Sequence, residues 1–159
     1  MRNGEELAAL LATGRCLALI GFMTAGKSRV GAELSRLCGW PATDLDEEIE
    51  RTVGLPVHRI FETCGERFFR DAETAALRHA CGEPGRILAC GGGTILRPEN
   101  RAVLAARCVR VWLQVSPPEV LARLRQPDAP RRPLLEGKDL PALVTALLRE
   151  REPYYRASD

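Results

Sequence analysis

The chain contains Gly21-Phe22-Met23-Thr24-Ala25-Gly26-Lys27-Ser28, which matches the pattern GxxxxGK[ST] at every fixed position. An apolar run at 16–20, typical of a buried strand, precedes it, and the amphipathic residues 30–37 follow it. Glycines let a backbone turn tightly around an anion, and the next helix presents its positive N-terminal end. The segment therefore predicts a phosphate-binding loop between a strand and a helix. The alternative is an ordinary strand, turn and helix that match by chance.

Length and composition narrow the class of protein. A chain of 159 residues suits one domain, and its net charge of +2 comes from nearly balanced, scattered acids and bases. The sequence has no basic stripe of the kind that duplex nucleic acid requires, so we expect no nucleic-acid partner. No stretch has the length and apolarity of a membrane span, and the start lacks the apolar run of a signal peptide. We expect a cytoplasmic protein with no membrane partner.

The six cysteines form no CxxC pair and no cluster with zinc-like spacing; they stand at positions 16, 38, 64, 81, 90 and 108. In a cytosolic protein we expect them to be small buried hydrophobes rather than redox groups. The two histidines, His58 and His79, lie in helix-like stretches and are predicted to be packing or surface residues.

Hydrophobic periodicity alternates strands with helices along the chain. Strands are predicted at 16–20, 42–44, 86–90 and 109–115. Helices are predicted at 4–12, at 27–38 and over 46–81, with breaks near 54–56 and 64–65. Such alternation indicates a parallel sheet, and ligands of parallel sheets gather beyond the carboxyl ends of the strands. We expect the phosphate loop, residues 44–46 and residues 91–93 to meet there.

Two carboxylates follow the predicted second strand. If the backbone is still extended at Asp44 and Asp46, both side chains project the same way and can share a pocket. One would then suit the shell of Mg²⁺, and the other would suit a substrate hydroxyl that attacks a phosphate. The alternative is that both cap the following helix, whose first turn contains Glu47 and Glu48. Spacing alone does not separate these interpretations.

Two other stretches each allow a functional and a structural interpretation. The glycines at 91–93 offer bare backbone to a ligand, or they form a flexible turn. Arg70 follows two aromatic residues and would suit a bidentate grip on a carboxylate, or it lies on a solvated helix face.

Six segments in this order resemble the shikimate kinase family along nearly the whole chain: GFMTAGKSRVG, DLDEEIE, IFETCGERFFRDAE, LACGGGTILRPENR, RRPLLEG and REPYYR. The resemblance implies a three-layer α/β phosphate-loop kinase fold of the nucleoside monophosphate kinase type, with a central parallel sheet, as one domain over 1–159. It also implies that ATP phosphorylates the 3-hydroxyl of shikimate with Mg²⁺ as cofactor, a step of aromatic amino acid biosynthesis.

The same resemblance assigns roles to individual residues. The phosphate-loop pattern by itself already predicts that Lys27 reaches the β- and γ-phosphates and that the Ser28 hydroxyl ligates Mg²⁺. To these the resemblance adds Thr24, Ala25, Gly26 and Arg29 for the nucleotide and Asp44 for the metal. For shikimate it implies Asp46 as hydroxyl ligand and candidate base, Arg70 and Arg151 on the carboxylate, and backbone N–H groups of Gly92 and Gly93. Lys27, Asp46 and Arg132 are the implied catalytic residues.

Residues 126–139 lack regular periodicity and are predicted to form a mobile loop. By the resemblance this loop is the lid over ATP, and Arg132 matches the arginine that meets the phosphates. Closure would exclude water from the transfer reaction. Arg125 matches a position beside adenine, and its alternative is a surface helix residue.

The chain departs from the family pattern in several places. Thr24, Arg29 and Cys90 replace residues that are often Gly, Thr and Thr in the family. We expect the last strand of the family fold, which follows the Tyr154-Tyr155 segment, to be absent. We expect a monomer in which an unpaired sheet edge could mediate self-association. The alternatives to a shikimate kinase are a binding module or truncated inactive relative that does not turn over, and a kinase for another small hydroxylated substrate such as gluconate.

Overall fold

The structure is a computed structural model that describes residues 12–127, 135 and 139–159. In these residues a parallel sheet has four strands in the spatial order β2-β3-β1-β4. The strands are β1 (Cys16–Ile20), β2 (Ala42–Asp44), β3 (Ile87–Ala89) and β4 (Cys108–Trp112). The predicted parallel sheet is confirmed. β3 is shorter than predicted, and β4 ends three residues early because its partner β1 ends at Ile20, where the chain enters the phosphate loop.

The helices agree with the predicted breaks. They are α1 (Lys27–Cys38), α2 (Leu45–Val53), α3 (Val57–Ala80), α4 (Pro98–Arg107), α5 (Pro117–Leu124) and α6 (Leu140–Arg156). Gly54 ends α2 at φ 76°, and Gly65 interrupts α3 at φ 82°. Of the predicted helix at 4–12, residues 4–11 fall outside the described part, and residue 12 is in a turn. Of the helices that are described, none is long and apolar enough to cross a membrane.

Alternate strand residues face opposite sides of the sheet, which gives the protein three layers. Leu17, Leu19 and Val109 face α1, where they pack with Val30 and Leu34. The other face packs against α3, α4 and α6 through buried side chains of those helices, namely Leu77, Leu104 and Tyr155. Both faces of the sheet are therefore covered, as parallel sheets require.

The outer edge of β4 is contacted by Asp159. The N–H of Asp159 donates to the carbonyl of Arg110 at 3.2 Å, and the N–H and Nε of Arg110 both donate to the Asp159 carboxylate at 2.9 Å. The bond from the Arg110 side chain lowers the pKa of the Asp159 carboxyl. Self-association through this edge stays a prediction.

Candidate active site

Residues 21–26 join β1 to α1 and form the loop that the sequence predicts. Gly21 has φ 145°, and a Cβ there would lie 2.5 Å from the Leu113 carbonyl oxygen, so a larger residue does not fit. Gly26 precedes α1 at φ 90°, and no side chain caps the helix. The first N–H groups of α1 are therefore available to an anion.

A cavity beside this loop, called here the phosphate cavity, is lined by Thr24, Gly26, Lys27, Ser28, Arg29, Asp44, Asp46 and Cys90. Ala25 belongs to the loop but is not among the lining residues. The buried Lys27 donates from Nζ to the carbonyls of Gly21 at 3.0 Å and Phe22 at 2.8 Å. These bonds hold an ammonium charge at the wall of the cavity, where it would attract a phosphate.

The carboxylate of Asp44 is compatible with both interpretations, the helix cap and the metal ligand. One oxygen, Oδ1, accepts from the N–H groups of Asp46 at 2.9 Å and Glu47 at 3.4 Å, so Asp44 is the N-cap of α2. The other oxygen, Oδ2, accepts from the hydroxyl of Ser28. A hydroxyl and a carboxylate oxygen thus touch at the phosphate cavity, and hard oxygen ligands of this kind fit Mg²⁺.

One of the two interpretations of this segment requires an extended backbone through Asp46, and the structure does not have it. The helix α2 already begins at Leu45, so Asp46 lies in its first turn instead of continuing the strand. Both residues nevertheless line the phosphate cavity, because a strand end and the first helical turn point to the same edge of the sheet.

A second cavity, called here the arginine cavity, adjoins the first. Its lining combines the apolar residues Val57, Phe61 and Phe69 with Arg70, Glu73, Gly93 and Arg151. The two cavities share four lining residues: Met23, Asp46, Gly91 and Gly92. Asp46 is the shared residue with an ionisable side chain.

Arg70 is held by two carboxylates of its own helix. Its Nη1 donates to Glu73 at 2.9 Å and its Nη2 to Glu66 at 3.3 Å. Glu73 is fully buried and accepts a second bond, from the hydroxyl of Thr94 at 2.6 Å. Sequence reasoning assigned no role to Glu73 or Thr94; the spacing of three between Arg70 and Glu73 was the available signal.

Arg151 and Tyr155 project from α6 toward the Gly92 carbonyl. Arg151 is 3% exposed and donates to that oxygen from Nη1 at 3.3 Å, while its Nε is buried and has no acceptor among the described residues. Tyr155 donates to the same oxygen at 2.6 Å. Burial raises the pKa of Tyr155 to about 12. The guanidinium of Arg151 is thus positioned with a donor still available.

The glycines at 91–93 are required by close packing. A Cβ at Gly93 would lie 2.6 Å from both terminal nitrogens of Arg70, and a Cβ at Gly91 would lie 2.7 Å from Glu73 Oε1. None of the three glycines has a positive φ. Their small size therefore lets charged side chains approach the backbone, which a flexible turn would not explain.

Of two further sequence-predicted ligands, one is described and lies outside the cavities. Arg125 is exposed after the end of α5 and lines neither cavity. Arg132 lies outside the described residues, as does most of the predicted lid. Leu135, one of the described residues of that stretch, is buried with Phe22 and Met23.

The cysteines follow the expectation only in part. Cys16, Cys81, Cys90 and Cys108 are buried, whereas Cys38 and Cys64 are exposed, contrary to the prediction. Cys90 lines the phosphate cavity, and its burial raises the pKa of the thiol, so it stays protonated there. Within the described ranges no cluster of cysteine, histidine or acidic side chains forms a metal site.

The chain is similar to shikimate kinases in sequence. Residues 23–159 match the family model of shikimate kinase. The shikimate kinase of Nitrobacter winogradskyi is 42% identical over 146 residues, which cover 92% of this chain and 67% of that protein. The chain belongs to the shikimate kinase family. The shikimate kinase of Moorella thermoacetica is 43% identical over 90% of this chain and 81% of that protein.

A solved shikimate kinase has the same fold. The protein from Acinetobacter baumannii, determined in complex with shikimate, superposes with a TM-score of 0.84 at 37% identity, over 89% of this chain and 78% of that one. The resemblance to the family and the three-layer α/β kinase fold expected from the sequence are therefore confirmed.

This shikimate kinase family member has an unusual backbone conformation at Thr24. Thr24 is the one described residue other than glycine with a positive φ, 63°. Its carbonyl accepts a hydrogen bond of 2.6 Å from Nη1 of Arg123, a residue of α5. That bond holds a loop conformation that threonine adopts at a cost.

Proposed function

We propose that this protein transfers the γ-phosphate of ATP to the 3-hydroxyl of shikimate, as the names of its relatives indicate. The observation that carries the proposal is that Asp46 lines both cavities. One cavity contains the phosphate loop and Lys27, and the other contains Arg70 and Arg151. A phosphate donor and a hydroxyl acceptor bound in them would meet at one carboxylate.

The arginine cavity suits the chemistry of shikimate, a hydroxylated ring with one carboxylate. Arg70 and Arg151 would bind the carboxylate, since two planar guanidinium groups give directional binding that a neutral sugar does not need. The apolar side chains that line the cavity would pack on the ring. Gly92 and Gly93 would offer backbone N–H groups to the same substrate.

The phosphate cavity would hold the phosphates of ATP. Loop residues Thr24, Ala25, Gly26 and Arg29 would surround them, Lys27 would offset their charge, and Arg132 and Arg125 would contribute from the lid and beside adenine. Ser28 and Asp44 would hold Mg²⁺, which when bound bridges phosphate oxygens and neutralises charge. Asp46 would orient the shikimate hydroxyl and accept its proton.

We extend the proposal to the organisation of the molecule. Residues 1–159 would form one domain with residues 126–139 as lid, and the protein would act as a cytoplasmic monomer. The described residues support a single body because one sheet is packed on both faces by the helices.

The test is an ADP-release assay with ATP, Mg²⁺ and shikimate, run beside gluconate and no-acceptor controls and beside the Lys27→Ala variant. Shikimate-dependent turnover that Lys27→Ala abolishes would support the proposal. Shikimate binding by calorimetry without turnover would instead indicate a non-catalytic binding module. Turnover with gluconate and none with shikimate would indicate a kinase for another substrate.

A further inference from the structure

Three buried thiols meet at the amino ends of the strands, opposite the carboxyl ends where the phosphate loop lies. Cys16 and Cys108 begin the neighbouring strands β1 and β4 and are paired in register. Cys81 directly follows α3, and its Sγ lies 3.5 Å from Sγ of Cys108. A modest approach of these two sulfur atoms would bring them to bonding distance.

A cavity reaches this cluster from outside the active site. It has a volume of about 250 Å³ and is lined by Gly14, Arg15, Cys16, Cys81, Pro84 and Arg107. Cys81 is 6% exposed and lines the cavity, whereas Cys108 is fully buried behind it. A small reagent in the cavity would therefore meet Cys81 before Cys108.

The surroundings of Cys81 favour its thiolate. The hydrogen bond from Cys108 lowers the pKa of the Cys81 thiol, and the charge of Arg107 lowers it further, against the opposing effect of burial. The same hydrogen bond and burial raise the pKa of Cys108. Thiolates are the nucleophilic form of cysteine, so the two sulfur atoms are differentiated into an attacking and a proton-bearing partner.

We propose that Cys81 and Cys108 form a thiol oxidation site in which a small hydroperoxide converts the pair to a disulfide. The Cys81 thiolate attacks one peroxide oxygen, the O–O bond breaks, and the leaving oxygen takes a proton to become water or an alcohol. Cys81 is then a sulfenic acid. The Cys108 sulfur attacks the Cys81 sulfur and displaces hydroxide, which leaves as water with the proton of Cys108. Two thiols are oxidised and the peroxide is reduced by two electrons.

The geometry favours Cys108 over Cys16 as the resolving partner. Sγ of Cys16 donates to the carbonyl of Glu83 at 3.2 Å, whereas Sγ of Cys108 lies 3.5 Å from Sγ of Cys81. The proposal is independent of the kinase chemistry, since none of the three thiols lines the phosphate cavity or the arginine cavity.

The test uses the full chain with its exposed thiols removed, the Cys38→Ser/Cys64→Ser variant. After treatment with hydrogen peroxide, remaining thiols are alkylated in denaturant and the protein is digested with trypsin. Cleavage after arginine and lysine places Cys81 in peptide 79–86, Cys108 in peptide 108–110 and Cys16 in peptide 16–27. We expect peptides 79–86 and 108–110 to be joined, with two thiols lost and both recovered on treatment with dithiothreitol.

Three further variants in the same background assign the roles. Cys81→Ser should slow the loss of thiols at least tenfold, Cys108→Ser should stop at a Cys81 sulfenic acid that dimedone captures, and Cys16→Ser should still form the joined peptide. Recovery of peptides 79–86 and 108–110 apart, both alkylated, would overturn the proposal, as would a bond from 79–86 to 16–27. The Cys38→Ser/Cys64→Ser protein by itself shows whether the two peptides are joined, even if one of the three further variants does not fold.

Discussion

Arg70 and Glu73 form a buried ion pair, with 2.9 Å between Nη1 and Oε2, and the hydroxyl of Thr94 donates to the other oxygen of Glu73. The pair lies on one face of α3 because residues three apart are neighbours on a helix. The fully buried carboxylate fixes the guanidinium beside Gly93, where any side chain would collide with it. Arg70 is therefore held in place before a substrate arrives, which lowers the entropic cost of binding an anion.

Replacing Arg70 by lysine tests this arrangement. Arg70→Lys keeps the charge but loses the planar fork, so we expect KM for shikimate to rise about tenfold or more in steady-state kinetics. The kcat should change little, because the grip on the carboxylate exists in both the ground state and the transition state. Arg67→Lys is the matched control on the exposed face of α3 and should leave both constants unchanged. An unchanged KM in Arg70→Lys would remove Arg70 from the substrate site.

Asp46→Asn tests the position shared by the two cavities. Loss of a general base costs about 10²-fold or more, so we expect kcat to fall by that factor while ATP affinity, measured by calorimetry, changes little. Glu47→Gln, an exposed residue in the same turn of α2, should retain full activity. An equal loss of ATP affinity in Asp46→Asn would contradict the role of base and place Asp46 on the nucleotide instead.

The strand and helix pattern could be predicted because its signals are local. The apolar run of β1, the glycine at the end of α2 and the glycine inside α3 mark their elements without reference to the rest of the chain. The end of β4 could not be predicted, because it depends on where its partner β1 stops. The conformation at Asp46 could not be decided from spacing for a similar reason: the cap formed by Asp44 starts α2 at Leu45, one residue before Asp46.

The site was predictable as a set of residue types but not as a set of contacts. The phosphate-loop pattern identifies Lys27 and Ser28 directly, because the residues of the pattern are spaced to surround one phosphate group. The role of Glu73 depends on Thr94, 21 residues away, and such a pair has no signature in a single sequence. The same holds for Tyr155, whose hydroxyl bonds to Gly92 across 63 residues.

Thr24→Gly should stabilise the protein. Thr24 has φ 63°, a conformation that costs a residue with a Cβ about 1–2 kcal/mol. Glycine removes this cost, but part of the gain in stability is offset by the greater freedom of glycine in the unfolded chain. The matched variant Thr24→Ala keeps the strained conformation. We expect the glycine variant to exceed the alanine variant by about 0.5–1 kcal/mol in the free energy of unfolding, measured in urea. Equal stabilities would show that the loop relaxes around alanine.

Tyr155→Phe should change stability in a defined range of alkaline pH. Burial raises the pKa of Tyr155 from 10 to about 12, so folding favours the neutral phenol. The contribution of the neutral Tyr155 phenol to the free energy of unfolding is fully present below pH 10 and is lost as pH rises toward 12. At pH 7 the variant should lose about 1 kcal/mol with its bond to Gly92, and between pH 10 and 12 its stability should fall less steeply than that of the unaltered protein. Tyr154→Phe, at a side chain that is 38% exposed, should keep the steeper fall. Parallel curves for all three proteins would show that Tyr155 ionises alike in the folded and unfolded states.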